Sequence, residues 1–349
     1  MSPRIAIVGA GAVGGYVGAY LAKAGIDVVM IDAWPAHVEA IRSGGLHIQM
    51  MEPGQSFETP ARALHICDVP QLVIEQPFDI AFISVKSYDT DWATTLILPY
   101  LAPNGCVVSL QNSINEERIA AIAGWGRTLG CCVNVLAAEL VAPGRIVRNS
   151  LRGDARKLGL AVGEAHGRVT ARATQIAELL AGADSTGVTT NLWGERWSKL
   201  TINAMRNGVC AMTGMSSKER DGDPRSLSLS IRLGSQSVRV GLALGLVLEE
   251  VSGLDLEPLG RAEYDAEAMR TVTRQILDVL HTRADAQRPS MAQDINKGRR
   301  TETDAINGLV ARRGVETGVD ASLHSKVNLI VQQIERGELR PSPDLLDGL

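Results

Sequence analysis

A lysine and two asparagines in the second half of the chain stand at helical spacing: Lys199, Asn203 and Asn207 recur at i, i+4 and i+8. That spacing puts all three on one stripe of a helix. Their neighbours Leu200, Ile202, Ala204, Met205, Val209 and Ala211 are apolar, so the helix is expected to be largely buried. A narrow polar stripe in such a helix must face partners or a cavity, because buried unpaired polar groups are costly. A second polar set follows at Ser290, Gln293, Asp294 and Thr301 through Asp304. Glu302 and Asp294 are eight apart, which places them on one side of a continuous helix. Glu302 there either pairs with Lys199 across a cleft, hydrogen-bonds a hydroxyl of a bound molecule, or is a plain surface carboxylate.

The first half carries a different chemistry. Gly9, Ala10, Gly11, Ala12, Val13 and Gly14 form a G-x-G-x-x-G run between an apolar strand pattern and a helix pattern. In that setting Gly9 allows a tight turn, Gly11 removes a Cβ that would block a pyrophosphate, and Gly14 lets the helix pack on the strand. The N–H groups at the helix start then hold the anion. The second strand ends at Asp32, 18 residues past Gly14, where a carboxylate accepts from both ribose hydroxyls and repels a 2′-phosphate. No Arg or Lys follows until Arg42, which favours NAD(H) over NADP(H). The alternative, that Asp32 only caps the helix beginning near Pro35, stays open. Two further strands end in Val85-Lys86-Ser87 and Gln111-Asn112-Ser113, at the sheet edge where open α/β folds bind ligands. Lys86 there could touch phosphate, ribose or substrate, and Asn112 could orient the nicotinamide ribose or a reacting carbonyl. Each is otherwise a solvated loop residue.

The elements that must position these residues fall into two sets. Strands are expected at 4–8, 27–31, 78–85, 106–110 and 128–133, alternating with helices at 14–24, 35–43, 89–98 and 115–123. This alternation predicts a parallel sheet covered on both faces. Short strands at 145–149, 157–163 and 187–190 follow, with a helix at 169–181. Beyond about residue 190 only helical periodicity remains, over 193–212, 227–252, 260–282, 289–313 and 322–336. The reading is therefore a dinucleotide-binding domain over 1–188 and a helical substrate domain over 189–349. Residues 216–228 read as a polar surface loop.

Composition narrows the partners. With 35 basic and 39 acidic residues the net charge is −4, which argues against nucleic acid and anionic membranes. The expected partner is a small molecule. The apolar stretch 5–22 is interrupted by glycines in a phosphate-loop pattern and has no basic leader, so a signal peptide or membrane span is rejected. Five irregularly spaced cysteines, with no C-x-x-C pair and no histidine cluster, point to free thiols in a reducing, cytoplasmic compartment and to no metal site. An apolar run such as 238–248 could form a homodimer contact.

Taken together, these segments resemble the ketopantoate reductase (2-dehydropantoate 2-reductase) family over about residues 3–335. The resemblance rests on GAGAVG at 9–14, Lys86, the QN pair at 111–112, WSKLTINAMRN at 197–207, and S-M-x-x-D-x(6)-T-E-x-D-x-I-N-G at 290–308. It implies a Rossmann-type α/β domain followed by an all-helical domain like that of 6-phosphogluconate dehydrogenase. It further implies reduction of a 2-oxo acid to a 2-hydroxy acid with a nicotinamide cofactor. By the same resemblance Lys199 matches the catalytic lysine that protonates the carbonyl oxygen, and Glu302 the carboxylate that helps hold the substrate. Asn203, Asn207 and Ser290 match substrate-contacting positions, Asn112 a residue between cofactor and substrate, and Lys86 one near the cofactor. The chain departs from the family pattern at Ser113, commonly glycine, at Asp32, and in extra residues near 212–232. These departures leave open an NAD-dependent dehydrogenase acting on another secondary alcohol, and, from another class, a non-catalytic NAD(H)-binding sensor.

Overall fold

In a computed structural model of the chain, residues 2–154, 158–250, 253–282 and 287–349 are described. They divide into two compact units, Met1–Leu192 and Trp193–Leu349. The first residue of the strand expected at 157–163 and the last two of the helix expected at 227–252 lie outside the described residues.

The first unit runs β1 (Ile5–Val8), α1 (Ala12–Lys23), β2 (Val28–Asp32), α2 (Pro35–Gly44), β3 (Leu46–Gln49), β4 (Phe57–Thr59), β5 (Arg62–His65) and β6 (Phe78–Ile83). It continues through α3 (Thr90–Ile97), β7 (Leu101–Ser109), α4 (Glu116–Ala123), β8 (Thr128–Val133), β9 (Ala138–Ala142), β10 (Arg145–Arg148), β11 (Leu160–Glu164), α5 (Ala171–Leu180) and β12 (Thr186–Thr189). Eight strands form one sheet in the order β12-β11-β8-β7-β6-β1-β2-β5. Neighbours are parallel except β8 and β11, which pair antiparallel. A second sheet, β4-β3-β10-β9, was not expected from sequence, and neither was β5.

Because successive strand residues point to opposite faces, β1 feeds two cores. Ile5 and Ile7 pack with Val17, Leu21 and Met30, while Ala6 and Val8 pack with Val29, Ile31 and Ala93 on the other side. All four β1 residues are buried, which explains an apolar run without alternation. The strand order reverses direction between β1 and β6, and ligands bind at such a switch point outside the carboxyl ends of the strands.

Helix α1 is anchored through its buried Tyr16. Tyr16 is fully buried and donates to the Ala183 carbonyl (3.0 Å) while accepting from Arg148 Nη1 (2.8 Å). Arg148 is ion-paired to the equally buried Asp184 at 2.6 Å. Burial pushes the Tyr16 hydroxyl well above the usual phenol range.

The second unit contains α6 (Leu192–Thr213), α7 (Ser217–Gly222), α8 (Pro224–Ala243), α9 (Leu256–Arg261), α10 (Ala266–Asp278), α11 (Ser290–Asn296), α12 (Thr303–Thr317) and α13 (Ser322–Glu335). Helix α6 is held by α8. The Trp197 indole donates to the Ser237 carbonyl (2.8 Å), and Thr201 and Ser237 hydroxyls pair at 2.8 Å. A Cβ at Gly241 would lie 2.4 Å from Trp197 Cδ1, so only glycine leaves room for the ring.

Three sequence expectations are corrected here. The polar segment 216–228 is not a surface loop. Ser216 and Glu219 form a capping box that starts α7, Asp223 caps α8, and Arg220 and Asp221 are buried against each other. The helix expected over 227–252 ends at Ala243, where Gly245 is left-handed (φ 77°). The segments 260–282 and 289–313 each break into two helices. Asp265 caps α10, and Gly298 (φ 62°) lies in the turn between α11 and α12. Asp294 and Glu302 therefore belong to different helices.

Candidate functional site

The glycine loop leaves β1 through a left-handed residue, Gly9 (φ 96°). A Cβ there would sit 2.7 Å from Val85 N and 2.8 Å from Ser84 C, so backbone strain and space both demand glycine. At Gly14 a Cβ would reach 2.1 Å from the Gly9 carbonyl oxygen and 2.0 Å from Ser84 Oγ. Gly11 is different: a Cβ there would meet no protein atom within 4 Å. Protein packing does not require glycine at 11, and the open space lies at the N-cap of α1. The first-turn N–H groups of α1 and its dipole make that space an anion site.

Two side chains fix this loop from β2 and α2. One oxygen of Asp32 accepts from Ala10 N–H (2.9 Å) and the other from Trp34 N–H (2.9 Å). Asp32 thus ties the loop to the start of α2, and its remaining lone pairs stay available for further donors. His37, fully buried, accepts from Gly144 N–H at Nδ1 (3.0 Å), so its Nε2–H donates to the Ala10 carbonyl (2.8 Å). Its role was not anticipated; the available signal was a histidine in phase with Val38 and Ile41 on the buried face of α2. Arg42, the first cation after β2, is committed to the Ala63 carbonyl, Glu39 and Asp68. These partners hold its guanidinium above its ordinary pKa, the Asp68 hydrogen bond contributing most.

The ends of β6 and β7 are bound together. Gln111 donates to the Val85 carbonyl (3.0 Å) and to Thr90 Oγ1 (2.9 Å). Asn115 donates to Ser87 Oγ (3.2 Å) and to the Asn112 carbonyl (2.9 Å). Lys86 precedes a short 3-10 turn, Ser87–Asp89, and is half-buried. Asn112 is half-buried with its side-chain amide unbonded among the described residues. Ser113 adopts φ 67°, the one positive φ outside glycine among the described residues.

In the second unit Lys199 and Asn203 are half-buried on α6, and Asn207 is only 6% exposed. Neither asparagine side chain hydrogen-bonds any described residue, and neither does that of Ser290 at the start of α11. Glu302 is 5% exposed at the N-cap of α12, a position that favours a carboxylate. Beneath them lies Asn307, fully buried, whose amide donates to the Ala204 carbonyl (2.8 Å) and to His324 Nδ1 (3.1 Å). His324 Nε2–H in turn donates to the Leu233 carbonyl (2.9 Å). Complete burial lowers the His324 pKa to about 4. Among the described residues no three His, Cys, Asp or Glu side chains group as a metal site, and all five cysteines are free thiols. No described helix is long and apolar enough to cross a membrane.

A glycine loop before α1 and a set of unbonded amides on α6 are each open to many enzymes, and comparison with known families decides between them. The family model described as "Ketopantoate reductase PanE/ApbA" matches residues 5–159, and its C-terminal counterpart matches 191–335. The chain belongs to the ketopantoate reductase family. It is an oxidoreductase acting on a CH–OH group, as homologues of this family are. A 2-dehydropantoate 2-reductase of Archaeoglobus fulgidus is 28% identical over 96% of this chain and 98% of its own length. One from Mesorhizobium japonicum is 28% identical over 89% and 91%. Among solved structures, a PanE/ApbA family ketopantoate reductase from Ralstonia eutropha superposes with TM-score 0.77 at 26% identity, covering 96% of this chain and 99% of that one. D-mandelate dehydrogenase, solved with NADH and anilino(oxo)acetate, shares the fold with TM-score 0.77 at 21% identity over 96% and 98%. The α/β unit followed by a helical unit is the architecture that the sequence predicts for this family.

Proposed function

We propose that this ketopantoate reductase family member reduces a 2-oxo acid, such as 2-dehydropantoate, to the 2-hydroxy acid, with NADH preferred over NADPH. The observation that carries the substrate site is Asn207. The residue is 6% exposed and its amide hydrogen-bonds no described residue, on the same helical stripe as Asn203 and Lys199. That amide can donate to and accept from the hydroxyl or carboxylate oxygens of a ligand.

The loop fits a dinucleotide: the open space at Gly11 and the first turn of α1 suit a pyrophosphate, Asp32 the adenosine ribose, and Lys86 and Asn112 the nicotinamide end. When bound, the nicotinamide supplies the hydride. Addition of hydride at carbon builds negative charge on the carbonyl oxygen, and Lys199 stabilises that charge and donates the proton. Asn203 and Asn207 bind substrate oxygens without charge, so the ammonium is reserved for the reacting oxygen. Ser290 and Glu302 hold the remaining polar groups of the substrate. Preference for NADH rests on Asp32 and on the commitment of Arg42 to the Ala63 carbonyl, Glu39 and Asp68.

A second reading, an NAD-dependent dehydrogenase of a bulkier 2-hydroxy acid, is favoured by the likeness to D-mandelate dehydrogenase in fold and by Asp32. A steady-state panel tests both, pairing NADH and NADPH with 2-dehydropantoate and aromatic 2-oxo acids. NADH-dependent reduction of 2-dehydropantoate is expected. Activity confined to aromatic substrates would favour the second reading, and faster turnover with NADPH would overturn the cofactor assignment.

A further inference from the structure

We infer that Asn307 is a positioning residue: its amide pins α12, which begins at Glu302, to the stretch of α6 that carries Lys199, Asn203 and Asn207. The inference rests on the proposed function for the roles of those four groups, and on the hydrogen bonds of Asn307 for its own.

Both amide hydrogens of Asn307 are used, one on the Ala204 carbonyl and one on His324 Nδ1. Ala204 lies between Asn203 and Asn207, and Asn307 lies five residues after Glu302. The cross-link therefore joins the two helices within about a turn and a half of every proposed catalytic or substrate-binding group on them. The close approach depends on Gly208, where a Cβ would lie 2.9 Å from Asn307 Oδ1 and 2.6 Å from Val327 Cγ1 on α13. The Ala204 carbonyl already accepts within α6 as a helical residue. The bond from Asn307 is thus an addition to the helix, not a repair of it. Its effect is to fix where α12 sits along α6. His324, held by the Leu233 carbonyl of α8, orients the amide so that its second hydrogen meets Ala204. Small displacements of a proton donor relative to substrate-holding groups carry large rate penalties, so a residue that sets this spacing acts on turnover without touching the substrate.

The test is the near-isosteric Asn307→Leu, measured with NADH and 2-dehydropantoate at a temperature where every variant is folded. The expected result is kcat lowered at least about tenfold, NADH Kd within about twofold of wild type, and a melting temperature lowered by a few degrees. The primary isotope effect with NADH deuterated at the transferred position is expected to rise, as the chemical step becomes more limiting. Val272→Ala on α10, a fully buried site, supplies a matched loss of stability and is expected to leave kcat and the isotope effect unchanged. Gly208→Ala presses on the same junction from α6 and is expected to lower kcat even if Asn307→Leu does not fold. Wild-type kcat in Asn307→Leu, or in Gly208→Ala where Asn307→Leu does not fold, or an equal loss in Val272→Ala, would overturn the inference. Lys199→Ala run alongside keeps the two readings apart. If it is slow while Asn307→Leu is normal, only the inference about Asn307 falls. If it is normal while Asn307→Leu is slow, the acid role of Lys199 falls and the positioning of the asparagines stands.

Discussion

Asp32 has two tasks at one carboxylate. It holds Ala10 and Trp34 backbone N–H groups, and under the proposed function it also accepts from the adenosine ribose. Of the two readings weighed from sequence, capping of α2 is not what Asp32 does, since the N-cap of that helix is Trp34 and carries no side-chain cap hydrogen bond, and the ribose contact belongs to the proposed function. Asp32→Ala is expected to weaken NADH binding and to narrow the NADH-to-NADPH affinity ratio by about tenfold, the scale of one lost charge-assisted contact. Fluorescence titration of both cofactors measures it, and tighter NADPH binding by the wild type would refute it. His324 makes a separate prediction about stability. Its folded pKa, about 4, lies below the ordinary histidine value near 6.5. Between those values the unfolded chain binds the extra proton, so stability rises with pH across that window and is lost as pH falls through it. The loss is at most about 3 kcal/mol. Melting curves from pH 7 to pH 4 should fall more steeply in the wild type than in His324→Gln; parallel curves would show that His324 does not contribute.

At the scale of elements, long strongly patterned segments were legible in the sequence and short mixed ones were not. Strand β1 shows itself because both its faces are buried and apolar, and helix α6 because apolar residues recur along most of its buried length. Strand β4 is three residues, Phe57–Thr59, one of them exposed, and β9 holds no buried position, so neither presents a period. The break between α11 and α12 was missed for another reason. Polar residues continue at near-helical spacing through 297–302, while the left-handed Gly298 turns the chain. Glycines separate in the same way once their surroundings are known. Gly14→Ala drives a Cβ into the Gly9 carbonyl and is expected to destabilise the first unit and abolish NADH binding. Gly11→Ala meets no protein atom, so its melting temperature should match wild type within about 2 °C, while NADH Kd rises at least about tenfold, or 1.4 kcal/mol. Unchanged affinity in Gly11→Ala would mean that the pyrophosphate does not use this loop.

For the whole molecule, the family assignment sets what the two units must contribute, and the separate observations in each are consistent with a division of labour. The first unit supplies the glycine loop that the proposed function assigns to a dinucleotide, and the second a stripe on which the Asn203 and Asn207 amides hydrogen-bond no described residue. The proposed roles of Lys199, Asn203, Asn207, Ser290 and Glu302 come only from the resemblance, since spacing alone left the stripe of Lys199, Asn203 and Asn207 open between a polar lining and a structural role, and Glu302 open to being a surface carboxylate. Asn307 and His37 escaped because each works through hydrogen bonds to groups far away in sequence, which no periodicity records. The division of labour predicts that cofactor affinity and turnover can be changed independently. Lys199→Ala tests this most directly, with kcat on 2-dehydropantoate and NADH Kd measured on the same preparation. The expected result is kcat lowered at least about 10²-fold with NADH Kd unchanged. Near-normal kcat would contradict the assignment of the proton to Lys199.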